Sequence, residues 1–108
     1  MKSLALALVL AAGAVPVQNK STFKGTITDS MCPAGDHSKM RMGPNDAECT
    51  IACVDAHGAA FVLFDGKQLL ALSDQKASEK FAGRMVAVTG TLDVSRKAIQ
   101  VDSIVAAK

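Results

Sequence analysis

The sequence predicts an all-β domain with two short helices (α+β): five short strands closing into a barrel, with an extra helix between the first two strands. Three observations predict it. Runs of four to nine residues alternate between apolar and polar and are separated by Gly, Asp or Pro. Asp65-Gly66 joins two of these runs, and an Asp-Gly link between apolar segments is a strong hairpin signal. Asn45-Asp46-Ala47-Glu48 opens a stretch with helical spacing, with Asn45 as cap, Glu48 completing the capping box and Asp46 at the positive end of the dipole.

Each element follows in order. Residues 23–28 alternate as a half-buried strand with Phe23, Gly25 and Ile27 on one face. Residues 29–44 hold Pro, Gly, Asp, His and Lys and read as a long loop, a length that is usually functional or tied down. The helix covers residues 47–57 and ends at Gly58; its small-residue stripe is Cys49, Ala52, Cys53 and Ala56, widened by Ile51 and Val54. Residues 60–64 and 67–72 form the hairpin strands. Ser73 or Asp74 caps a second helix running to about Phe81, with Gly83 past its end. Residues 84–92 place Val86, Val88, Gly90 and Leu92 on one face. Residues 98–105 form the last strand, whose alternation slips before Ile104 and predicts a bulge or an early end there. Five strands with a helix between the third and fourth are ordered as in an OB-fold barrel, here with Ala77 and Phe81 plugging one end. The Cys-bearing helix between strands 1 and 2 is the addition.

The first residues set the expected compartment. Met1-Lys2-Ser3, the apolar residues 4–10 and Ala12-Gly13-Ala14 have the layout of a secretory signal peptide over residues 1–14. The apolar run is shorter than the roughly 20 residues of a membrane span. The expectation is an exported protein, periplasmic or secreted, with no stable membrane insertion after cleavage. Residues 15–22 are then a short lead and residues 23–108 a single domain. A domain of this size has a thin core, a deficit that many small exported proteins offset with a disulfide or a metal. A net charge of +2 with no charge run, and no Trp or Tyr, speaks against nucleic acid as a partner.

The chemistry is concentrated in one place. All three cysteines and both histidines lie in Cys32-x4-His37-x11-Cys49-x3-Cys53-x3-His57, and Cys49, Cys53 and His57 recur at helical spacing on one face. In an oxidising compartment paired cysteines become disulfides, but three cannot all pair within one chain.

Gly25-Thr26-Ile27-Thr28-Asp29-Ser30-Met31-Cys32, then Cys49-x3-Cys53 on a helix, then Val88-Thr89-Gly90-Thr91-Leu92, resemble a group of small exported bacterial proteins of unknown function with OB-like domains. The resemblance spans nearly all of residues 15–108. It implies the fold and export, and brings no activity with it.

Two readings of the cluster stay open. In the first, Cys32, Cys49 and Cys53 hold a metal with His37 as fourth ligand, or His57 in its place; thiolates with imidazole suit zinc. Met31, Met40 and Met42 in the same loop make copper(I) the rival ion. In the second, Cys32 bridges to Cys49 or Cys53, closing a loop of roughly 20 residues for about 3 kcal/mol of stability. The leftover cysteine is then buried or free to link a homodimer. Catalysis is not expected: Cys53 and His57 lie at the helix end that disfavours a thiolate, and C-x3-C is not a thioredoxin-type pair. Asp29-Ser30 reads as a turn. The expected role is that of a non-enzymatic binding or accessory domain, whose partner is a metal ion or an envelope protein or ligand.

Overall fold

A computed structural model describes residues 20–32, 36–38, 41 and 43–107. The expected signal peptide, most of the lead, and Met40 and Met42 lie outside the described residues. The element order is β1 (Lys20–Asp29), α1 (Asp46–His57), β2 (Phe61–Phe64), β3 (Leu69–Leu72), α2 (Gln75–Glu79), β4 (Met85–Asp93) and β5 (Ala98–Ala106). The strands close as a barrel in the order β1-β2-β3-β5-β4, with β3 and β5 parallel and every other pair antiparallel. This is the OB-like arrangement expected from the sequence, with α1 inserted between β1 and β2.

Ile27, Leu63, Leu70, Val86, Val88 and Ile99 fill the barrel and are almost completely buried. They are the inward members of the alternating runs. Phe81 packs against this core, Ala82 is buried beside it, and Ala77 is half-buried. The β4–β5 register shifts at Thr89/Gly90: Thr89 faces Ser103 and Gly90 faces Val101, leaving Asp102 as the extra residue. That bulge lies where the alternation of the last strand slips.

Three boundaries differ from expectation, each for a local reason. β1 starts at Lys20 because Lys20, Ser21 and Thr22 pair with Thr91, Gly90 and Thr89 of β4. Those three residues are exposed and show no apolar alternation to betray a strand. The hairpin turn is four residues long, since Phe64 pairs with Leu69. Asp65 holds it that way: its Oδ1 accepts the N–H groups of Lys67 and Gln68, each at 2.9 Å. Those two bonds also hold the Asp65 carboxyl below its usual range. The buried face of α1 is Cys49, Thr50 and Cys53, whereas Ala56 is exposed. Ile51 and Val54 reach the barrel core, so the helix docks through a face turned away from the Ala52–Ala56 stripe.

The ends of α1 are fixed by local chemistry. Asn45 Oδ1 accepts the Glu48 N–H at 2.9 Å, and the Asn45 amide donates back to Glu48 Oε2 at 3.0 Å. Gly58 ends the helix at φ 70°, with its N–H turned to the last carbonyls. A second glycine sets how closely the helix approaches the barrel. Gly83 has φ 76°, and a Cβ there would lie 2.7 Å from the Ala47 backbone nitrogen. Gly83 N–H also donates to Ile27 O at 2.8 Å, tying the α2–β4 turn to β1 beneath the helix.

These two glycines separate strain from crowding. Gly58→Ala meets nothing within 4 Å, so it carries only the left-handed penalty of about 1–2 kcal/mol. Gly83→Ala carries the same penalty plus overpacking of about 1–3 kcal/mol against the start of α1. Urea denaturation of both variants is expected to show the larger loss for Gly83→Ala.

Candidate metal centre at the end of β1

The site grows out of the last residues of β1. Asp29 ends the strand opposite Phe61 of β2 and is completely buried. The chain then turns sharply: Met31 N–H donates to Asp29 Oδ1 at 3.0 Å, and Cys32 N–H to Asp29 O at 3.2 Å. Ser30 fixes the turn to the neighbouring strand, its N–H donating to Ala60 O at 2.9 Å and its Oγ accepting the Ala60 N–H at 3.0 Å. The turn that Asp29-Ser30 predicts is present, and it delivers Cys32 back against the Asp29 carboxylate.

The second half of the site comes from α1. Cys49 and Cys53, one turn apart, are both completely buried, and Cys32 is 1% exposed. Cys32 and Cys53 pack with Ala59 and Val54 in an apolar cluster distinct from the barrel core. One ligand atom from each of Asp29, Cys32 and Cys53 lies within 4.8 Å of the others. Cys32 and Cys49 both lie close enough to Cys53 to influence its thiol. Among the described residues, no disulfide joins the cysteines. Two sulfurs and the carboxylate therefore meet in one buried place, and Cys49 lies one helical turn from Cys53, outside that group of three.

His37 lies behind the carboxylate. It is 4% exposed, its Nε2 is 3.4 Å from Thr28 Oγ1, and its Nδ1 is 3.9 Å from Asp29 Oδ2. Neither His37 Nδ1 nor Asp29 Oδ2 has a hydrogen-bond partner among the described residues, and the same is true of Thr50 Oγ1 on α1. A buried polar atom left in that state costs on the order of 1–3 kcal/mol, and more if it is charged. His57 stands exposed on the last turn of α1, apart from the group, because the helix runs past the edge of the buried face. Met31 is 39% exposed.

Asp29 is absent from a reading built on cysteine and histidine spacing. Its signal is the alternation Gly25, Ile27, Asp29, which continues a buried face with a charged residue three positions before Cys32.

The electrostatics all run one way. Burial, reinforced by the Asp29 carboxylate and the neighbouring sulfurs, pushes the Cys32 thiol up to about 12. Burial, Asp29 and Cys49 also raise Cys53, against a smaller lowering by Cys32. Among the described residues, His37 is the sole basic side chain within 4 Å of Asp29. Acidic groups of this kind gathered out of water lack a positive charge, and a cation among them would reverse each of these shifts. No helix among the described residues is long and apolar enough to cross a membrane. No family model, curated protein or solved structure matches the chain.

The raised thiol gives the metal-free, reduced protein a defined pH response. In the unfolded chain Cys32 ionises near its ordinary 9.0, and in the folded chain near 12. Between those values the unfolded state has released a proton that the folded state keeps, so stability is full below about pH 9 and falls as pH rises. Urea melts across that interval are expected to show the decline, and Cys32→Ala is expected to reduce it, leaving the part that Cys53 contributes.

Proposed function

We propose that this chain is an exported, non-enzymatic metal-binding domain whose inserted helix closes over one zinc-like divalent ion. The observation that carries the reading is the convergence of Asp29, Cys32 and Cys53 within 4.8 Å in a buried pocket. In a tetrahedral site with metal–sulfur bonds near 2.3 Å, ligand sulfurs stand about 3.8 Å apart, so only a small contraction separates this group from a coordination shell. Cys49, buried one turn before Cys53 on the same helix, would supply the fourth ligand by closing in on this group of three. Three thiolates with one carboxylate leave no open position, as in structural zinc sites, which supports binding over catalysis. The carboxylate favours zinc over copper(I), whose preference is for softer donors.

His37 is assigned a supporting role. With the proton on Nδ1 it points a donor at Asp29 Oδ2, while Nε2 accepts from the Thr28 hydroxyl, an arrangement that would orient the carboxylate toward an ion. Export rests on the charged, apolar and small-residue layout of residues 1–14. The same nearness of Cys32 to Cys53 also supports the second reading, a disulfide-stapled module that recognises an envelope component without a metal.

Anaerobic titration of the reduced full chain with zinc, against a chromophoric chelator, tests the proposal. One ion per chain is expected. Cys53→Ala is expected to weaken binding more than 100-fold and His37→Ala by about 10–100-fold, the usual range for an orienting partner, with His57→Ala unchanged. Failure of the reduced protein to take up zinc would overturn the reading.

A further inference from the structure

We infer that Cys32 and Cys53 form a reversible disulfide that dismantles the metal site, so that the domain holds its ion only in the reduced state. The inference rests on the metal reading above and adds the regulation of that same site.

The pairing follows from placement. Three thiols offer three possible bridges, and the fold separates them. Cys49 and Cys53 are one turn apart on a single helix, where the β-carbons are poorly directed for an S–S bond. Cys32 approaches from another element, at the turn after β1, and its thiol is within 4.8 Å of the Cys53 thiol, whereas Cys49 is not part of that close group. With the two sulfurs already this close, a bridge between Cys32 and Cys53 needs only a short movement of the turn.

The consequence for the ion is one of donor count. Oxidation removes two of the four proposed ligands and leaves Asp29 and Cys49, too few for a closed site. The reaction is dithiol–disulfide exchange with a low-molecular-weight disulfide as oxidant. One cysteine thiolate attacks the oxidant and releases its first thiol. The second cysteine then displaces the other, forming the Cys32–Cys53 bond. Two electrons and two protons pass to the oxidant, which leaves as two thiols. Burial of both sulfurs makes the exchange depend on opening of the turn, and a bound ion that holds the turn closed would protect them.

The test uses the full chain, reduced or treated with oxidised glutathione. Each form is assayed for zinc by chelator competition and mapped by differential alkylation and mass spectrometry. The reduced form is expected to bind one zinc with three alkylatable thiols. The oxidised form is expected to carry a Cys32–Cys53 bridge with Cys49 free, to bind zinc at least 100-fold more weakly, and to recover on reduction. Cys49→Ala is expected to form the same bridge with no thiol left over. A bridge that maps to Cys49, no bridge at all, or undiminished zinc binding after oxidation would overturn the switch and leave the metal reading intact. A reduced form that binds no zinc would overturn both.

Discussion

A carboxylate with no exposed surface, set against protonated thiols and lacking a full positive partner, is the constraint around which the insert is organised. Asp29 closes β1, caps the turn that follows and carries one oxygen with no hydrogen-bond partner among the described residues. Burying such a group has a cost that the barrel does not require, since its own core of Ile27, Leu63, Val86 and Ile99 is complete without it. A positively charged occupant of the site would offset that cost. The Cys32 thiol is raised first by burial and further by the Asp29 carboxylate beside it.

The barrel supplies rigidity to this arrangement from two directions. β1 pairs with β4 along Lys20–Thr26 and with β2 along Thr26–Asp29, so Asp29 is held opposite Phe61 at the end of the β2 ladder. On the other side, α1 is held close by the glycine turn beneath Ala47 and capped at both ends. Site residues on a paired strand and a capped helix keep their mutual distances better than residues on a free loop would. His37, on the loop between them, lies 3.4 Å from Thr28 Oγ1 and 3.9 Å from Asp29 Oδ2.

Much of the barrel was legible in the sequence because alternation and punctuation are local. The β4 run of Val86, Val88 and Gly90 gives its face directly, and the slip before Ile104 marks the bulge at Asp102. The capping box at Asn45 and Glu48 and the left-handed Gly58 placed both ends of α1. What stayed hidden depends on contacts made across the fold. Lys20–Thr22 form a strand only because β4 lies alongside. The face of α1 that is buried follows from its docking on β1, so Thr50 is enclosed and Ala56 is not. Cysteine spacing located the cluster, but Asp29 joins it because the turn after β1 folds back, a long-range outcome that composition does not carry.

The joint between β3 and β5 has a consequence for how the domain moves. It is parallel and short, with Ala71 opposite Ala98 and Leu72 opposite Ile99, while β4 and β5 pair along nearly their whole length. In the closed ring this seam is the one furthest from β1. Breathing of the barrel is therefore concentrated on the wall opposite the sulfurs, and amide exchange would begin there while the cysteine side remained shut. A small domain built this way can flex without loosening its grip on whatever the far wall encloses.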